Sequence, residues 1–415
     1  MNTKKFTYID LFSGCGGLSE GFNSSNKYES LAHVEWESPM VDTLRYRLIK
    51  KWKHSQEEAM KKVVHFDIQR TAELLYGNWS KKSIADFANT NDKNVIEKGL
   101  KGIIGRRKVD LIIGGPPCQA YSIAGRAQDK NSMKSDYRNY LFESFVKVVD
   151  EFKPNIFVFE NVPGLLSASP GGMLVINRIF EAFQNIGYEI RNPNILKKSI
   201  YSSSDFGVPQ NRKRIIIIGV KSTSEINLED LYIEINSLTN KSRPKNVFDA
   251  IGHLPKFKPL TKQIKINGKN ISHKLLNNNC VKFHEARFHN QRDINIFRLW
   301  IKNKMNKSTS KKKISFYNEI MDKSSNHAKY RNLEWDKPSP TIVAHLNKDG
   351  LMFIHPDIKQ ARSITVKEAA LLQTFPNDYA FLGSQGFAYK MIGNAVPPKM
   401  AKKVALAISK KLLQK

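Results

Sequence analysis

Gly114-Gly-Pro-Pro-Cys-Gln119 sets one thiol, Cys118, directly behind two prolines and past the end of an apolar run at 109–113. Prolines fix the backbone and glycines let a ligand approach it, which suits a nucleophile. A lone cysteine reads equally well as a small core residue, so its companions decide. A second constellation is Asp10-Leu-Phe-Ser-Gly-Cys-Gly-Gly17, where three glycines turn the chain out of an apolar run. Such a turn opens a helix N-terminus to a ligand, although a plain tight turn explains it as well. Glu35 closes the next apolar run, with Trp36 beside it, and an acid at that place commonly binds ribose hydroxyls. Asp67, in His65-Phe-Asp-Ile68, offers a polar contact at a third strand. The glycine spacing departs from Gly-x-Gly-x-x-Gly, which favours an adenosine-containing cofactor smaller than a dinucleotide.

These residues need strand ends to carry them, and the chain supplies a suitable rhythm. Short apolar runs at 8–12, 31–35, 109–113, 156–160 and 214–220 read as strands. Amphipathic stretches from about 18, at 40–50, 140–152, 173–186 and 398–413 read as helices. This alternation predicts an α/β fold, a doubly wound, mostly parallel sheet of Rossmann-like type, whose ligands bind at the carboxyl ends of the strands. Residues 68–108 are polar and helix-prone and read as an excursion before the next strand. From 221 to 330 the rhythm is lost, and 22 Lys/Arg face 9 Asp/Glu, a net of +13. Residues 301–313 carry six lysines and no acid, as a solvated loop would. The interleaved Phe283, Phe288, Phe297, Trp300, Phe316 and Tyr317 argue instead that the segment folds. The division expected is 1–220, a smaller irregular insert at 221–330, and a return to the first unit at 331–415.

The 415 residues are 40% hydrophobic, enough for a sizeable core. Lys and Arg total 67 against 38 acids, a net charge of +29, which points to a polyanionic partner, most often nucleic acid. A lysine-rich proteome would also produce such a balance. Three cysteines cannot build a disulfide framework, so a reducing, cytoplasmic setting is expected. The first residues lack the apolar core of a signal peptide, and the apolar stretch at 215–220 is too short to span a bilayer. His284-Glu285 with His289 misses the zincin spacing by one residue, so no metal is expected there.

Six segments together resemble one family. Residues 10–22 and Gly115-Pro-Pro-Cys-Gln-Ala-Tyr-Ser122 resemble the first and fourth motifs of the cytosine-5 DNA methyltransferases. Phe159-Glu-Asn-Val-Pro-Gly164 resembles the motif with the catalytic glutamate. Gly207-Val-Pro-Gln-Asn-Arg-Lys-Arg214, Pro338-Ser-Pro-Thr-Ile-Val343 and Ile392-Gly-Asn-Ala-Val-Pro-Pro398 resemble the eighth, ninth and tenth, in the family's order. The resemblance implies that the Cys118 thiolate adds to cytosine C6 and makes C5 nucleophilic. Glu160 would hold N3 and the exocyclic amine, Arg214 would sit over the base, and Arg212, Gln210 and Gln119 would support the site. It further implies S-adenosylmethionine as methyl donor, leaving as S-adenosylhomocysteine, and no metal. Phe12 would pack on the adenine, Glu35 on the ribose and Asp67 on the adenine amine. Asp10, Gly14, Gly16, Gly17, Leu18, Trp36, Ile68, Pro116, Leu141, Asn394, Ala395 and Val396 would complete that pocket. Residues 120–138, with Gly125, Arg126, Lys130 and Lys134, resemble the loop that closes on DNA once the target base is flipped out.

Tyr121 stands where phenylalanine is more usual, and Lys213 replaces a common glutamate; neither touches a reacting group. The family implies a double-stranded DNA substrate, a monomer acting on it, a nucleoid-associated setting and a cognate restriction endonuclease as partner. The alternative within the family is a tRNA cytosine-5 methyltransferase, against which Tyr121-Ser122 and the large insert speak. A DNA-binding regulator without activity is the alternative from another class.

Overall fold

A computed structural model describes residues 5–117, 141–239, 243–277 and 279–413. Its centre is an eight-stranded sheet built from β1 (Phe6–Leu11), β2 (Tyr28–Glu35), β3 (Val63–His65), β4 (Leu111–Gly114), β5 (Ile156–Asn161), β6 (Tyr188–Ile190), β7 (Ile200–Ser202) and β9 (Lys213–Lys221). The order is β3-β2-β1-β4-β5-β9-β6, with β7 also on β9. Strands β1 to β5 pair in parallel, as their helical crossovers require. The run at 214–220 departs from the expected parallel rhythm, because β9 pairs antiparallel with β5, β6 and β7. No long helix separates β7 from β9, so the chain can only turn back on itself there.

Alternation along each strand builds two cores. Ile9, Leu11, Ile112, Phe157, Phe159, Ile215 and Ile217 meet helices 71–76, 93–104, 141–152 and 175–185 on one face. Tyr8, Leu111, Ile113, Ile156, Val158, Ile216 and Ile218 meet helices 17–24, 228–237 and 398–412 on the other. Helix Leu228–Ser237 thus packs with the sheet, and the boundary expected at 221 falls some twenty residues further along. The excursion at 68–108 is helical, and Trp79 stacks on Phe66 with ring centroids 4.3 Å apart.

The insert is more regular than its sequence suggested. Strands β10 (Phe257–Ile266) and β11 (Lys269–Leu275) form an antiparallel ribbon closed by Asn267-Gly268, both at positive φ, the turn that matches strand twist. Helices Gln291–Lys302 and Ser310–Met321 follow, capped by Asn290 and Thr309. Phe297 and Trp300 are fully buried with Tyr330, and Phe316 and Tyr317 pack against them; Phe288 stays exposed.

A buried polar clasp fastens the insert to the returning chain. Arg362 donates both terminal nitrogens to Glu368, each at 2.7 Å, and Nε to Gln360. His273 reaches the Gln360 carbonyl at 2.9 Å, His284 reaches Thr365 and the Pro255 carbonyl, and His289 reaches Ser363. These histidines are structural, and burial holds His273 down to about 4 and His289 to about 3. The Arg362 charge beside it keeps the Glu368 carboxyl ionised against its burial. Glu368→Gln leaves Arg362 buried without its counter-charge. A loss of about 3–5 kcal/mol in urea unfolding is expected, and a loss below about 1 kcal/mol would show that the pair is not the clasp's centre.

Candidate active site

The carboxyl ends of β1, β2, β4 and β5 point to one edge, at the place where strand order reverses between β1 and β4. Beyond β1 the chain makes a tight turn, with Phe12 held at φ 56 and Gly14 and Gly16 also left-handed. A non-glycine residue in that region stores strain and marks a place the fold over-determines. The turn feeds helix Gly17–Ser24, whose N-cap is Gly16. A Cβ on Gly17 would stand 2.5 Å from the Val396 carbonyl oxygen and 3.0 Å from the Ala395 Cβ. Only glycine therefore admits the Asn394–Val396 segment, which arrives from the far end of the chain.

Glu35 shapes the second side. Its Oε2 accepts the Gly14 N–H at 2.7 Å, and its Oε1 accepts those of Trp36 and Glu37 at 2.9 Å. Burial pushes its carboxyl up to about 7, although the three N–H donors pull the other way. One acceptor position on Oε2 is left for a ligand hydroxyl. Trp36 beside it is 55% exposed, a large apolar surface without cover. His65 braces the Trp36 backbone, its Nε2 on the Trp36 carbonyl at 2.9 Å and its Nδ1 on Thr90 Oγ1 at 2.7 Å. Asp67 is partly exposed beyond β3, where its Oδ1 accepts the Gln69 N–H.

The third side is acidic and basic at once. Glu160 is the last residue but one of β5, and its Oε1 lies 2.7 Å from Arg214 Nε on the neighbouring β9, both groups nearly buried. That contact is ionic and not aligned as a hydrogen bond, so Oε1 keeps an unused acceptor position. A Cβ on Gly115 would come within 2.7 Å of Glu160 Oε2. The carboxylate thus overlies the backbone leading to the thiol. Asn161 donates to the Pro116 carbonyl at 3.3 Å and fastens the same segment. Cys118 and Gln119, with the loop at 120–138, lie outside the described residues.

Arg212 and Gln210 brace this edge from beneath. Arg212 donates to the Ile342 carbonyl at 2.8 Å and to that of Asn394 at 3.4 Å. Gln210 accepts the Ile342 N–H at 2.9 Å and donates to Gln373 Oε1. Gln373 in turn donates to the carbonyls of Ile392 at 3.0 Å and Ala395 at 2.6 Å. One buried amide network therefore locks three distant segments together. Gln373 went unnoticed in the sequence; its signal is a single uncharged amide following the apolar run 369–372.

Several expected pocket residues are nearly buried. Asp10 is sealed against Ser19 and His33 on the helix side of β1, with no surface to offer a ligand. Leu18 belongs to the core beneath helix Gly17–Ser24, and Ile68 and Leu141 to the core on the opposite face. Burial alone does not remove them from the pocket, since Glu35 and Glu160 are buried as deeply. Pro116 and Val396 are also buried. Phe12, Gly14, Trp36, Asp67, Asn394 and Ala395 retain surface, and Glu35 and Glu160 retain less than a tenth.

Replacing Gln373 by leucine keeps its volume and removes both donors, leaving the Ala395 carbonyl unpaired and the Ile392 carbonyl with only the Ala395 N–H at 3.3 Å. About 1–3 kcal/mol should be lost for each group stranded, and affinity for S-adenosylhomocysteine should fall with it. Calorimetric titration beside thermal unfolding would read both, and unchanged affinity would separate the network from the pocket.

Residues 50–410 match the family described as C-5 cytosine-specific DNA methylase. The type II methyltransferase M.Bpa9945I of Bacillus paralicheniformis is 35% identical, the match covering 96% of this chain and 98% of the relative. M1.HphI of Haemophilus parahaemolyticus, also a type II methyltransferase, is 31% identical over 97% of this chain and 87% of its own. Among solved structures, one assigned as a DNA modification methyltransferase encoded within an E. coli prophage superposes with a TM-score of 0.64 at 23% identity, over 99% and 100% of the two chains, and so shares the fold. With its family match running through nearly the whole chain, this protein belongs to the C-5 cytosine-specific DNA methylases.

Proposed function

We propose that this chain methylates C5 of a cytosine within a short duplex DNA sequence, with S-adenosylmethionine as donor. The observation that carries the reading is the Glu160–Arg214 pair, set over the Gly115-Pro-Pro117 segment that delivers Cys118. The relatives' description as type II methyltransferases supports a role in protecting DNA from a cognate endonuclease. The proposal has the protein act as a monomer in the cytoplasm, at the nucleoid. The family model is one of DNA methylases, which favours DNA over tRNA.

The residues present suit the donor. The glycine turn brings backbone to the ligand, Glu35 holds a spare acceptor for a ribose hydroxyl, and Phe12 and Trp36 offer rings for the adenine. When bound, the donor supplies an electrophilic methyl group. Cys118, as thiolate, forms a bond to C6 and moves electron density to C5. Glu160, sharing its charge with Arg214, grips N3 and the exocyclic amine and stabilises the adduct. After C5 has been methylated, its proton passes to water, the C6–S bond breaks and the thiolate is restored. The β10–β11 ribbon and the two helices after it form the proposed target-recognition unit.

Cys118→Ala should abolish methylation while DNA binding persists, and Glu160→Gln should lower turnover by about 10²–10⁴-fold. Base-resolved cytosine mapping of DNA from a methylation-free host expressing each variant reads this; methylation by the alanine variant would sink the assignment. The raised Glu35 carboxyl gives a pH signature. A ligand hydroxyl is held best by the ionised form, so affinity for S-adenosylhomocysteine should rise as pH increases through about 7. A flat profile between pH 6 and 8 would exclude Glu35 from the ribose contact.

A further inference from the structure

A groove of about 550 Å³ separates the catalytic edge from the insert. One wall carries Asn211, from β8 (Gln210–Asn211), with Pro340 and Thr341 around β12 (Ser339–Pro340), the short parallel pair beside Arg212. The other carries Asn306 of the insert, with Arg331 and Asn332 where the chain leaves it. Most polar groups here are already engaged. Asn306 accepts from Trp300 Nε1 at 3.0 Å and the Asn332 N–H at 3.2 Å, and donates to the Asn332 carbonyl at 2.7 Å. Glu334 pairs with Lys337 at 2.6 Å, so those charges cancel. Thr341 donates to the Asn211 carbonyl at 2.7 Å.

Arg331 is the exception. It is partly buried, yet its Nε makes only a long contact of 3.4 Å to the Met352 carbonyl, and its guanidinium lies 5.7 Å over the Phe353 ring. No carboxylate among the described residues pairs with it. Burial lowers its pKa and no neighbouring charge opposes that shift. A guanidinium remains charged even so. A cation drawn out of water without a counter-ion is an expensive arrangement unless an anion arrives to complete it.

We infer that Arg331 is an anchor for a DNA phosphodiester, lodged in the groove between Asn211 and the insert. A phosphate is favoured over a base edge because the guanidinium lacks a charge partner, and a phosphate supplies both the charge and paired acceptor oxygens. Lys302, Lys304 and Lys307, on the same insert, add positive field without acids among them. The inference rests on DNA being the substrate.

The test is the affinity of the full chain for duplex DNA across a range of salt, on the methylated sequence and on an unrelated one. Each phosphate contact contributes about 0.9 to the slope of log affinity against log salt. Arg331→Gln should lower that slope by about 0.9 and weaken both duplexes to the same degree, whereas Arg331→Lys should keep the slope. An unchanged slope in a folded glutamine variant would overturn the inference. A loss confined to the methylated sequence would also overturn it, marking base readout. Arg331→Met, which keeps the stem over Phe353, replaces the glutamine variant if that fails to fold. Wild-type protein with no salt-dependent binding to either duplex would instead sink the DNA reading itself.

Discussion

Helix Gly17–Ser24 and the Asn394–Val396 segment lie so close that a single methyl group at Gly17 would overlap a carbonyl oxygen. Everything at the open edge depends on this approach. It makes the last segment of the chain a wall of the pocket that begins with the first strand. It also fixes helix Pro398–Leu412 against helix Gly17–Ser24, where Gly21 permits equally tight contact with Ala401 and Pro398. Close packing of this kind tolerates no added volume, so the two ends of the chain are held in one register.

The groups proposed to react inherit their order from that register. Arg212 and Gln210 are anchored on Ile342, Gln373 on Ile392 and Ala395, and the chain beyond Arg212 is β9, which carries Arg214 to Glu160. Glu160 is rigid because it lies within a central strand, and Arg214 because it stands on the next. A pair fixed on two paired strands needs little rearrangement to meet a base, which is how preorganised charge serves a transition state. Arg331, on the insert side of the groove, faces the same edge without a partner charge, and the asymmetry suits an anionic strand lying between them.

Much of this was legible in the sequence. The apolar runs marked β1, β2, β4, β5 and β9 to within two or three residues, since strands buried on both faces read as uninterrupted Val, Ile, Leu and Phe, whereas three-residue β6 and β7 leave no run to read. Glu35, Glu160, Arg212 and Arg214 were legible because they stand at strand ends inside recurring segments. The direction of β9 was not, because an apolar run carries no record of its orientation. The insert was legible only in part: Trp300 and Phe297 announced a core, but Asn267-Gly268, a strong hairpin signal, was passed over because β10 is polar and largely exposed. The depth of Asp10, Leu18, Ile68 and Leu141 was not legible, because adjacency in sequence to a binding turn does not say on which side of the strand or helix a side chain falls. Gln373 and His65 were missed because their work is on distant backbone.

The pairing of first helix with last has a consequence for biosynthesis. Tyr28 hydrogen-bonds the Ala405 carbonyl, and Leu18, Phe22, Val404 and Ile408 share one core. Strand β1 and the helix after it therefore leave the ribosome with an apolar face whose cover is still some 370 residues away. Until residues 398–412 have been made, the nascent sheet is open on that side, with the contact order of a slow folder. Loss of helix Pro398–Leu412 would unmask the face that the first fifty residues have been waiting to bury.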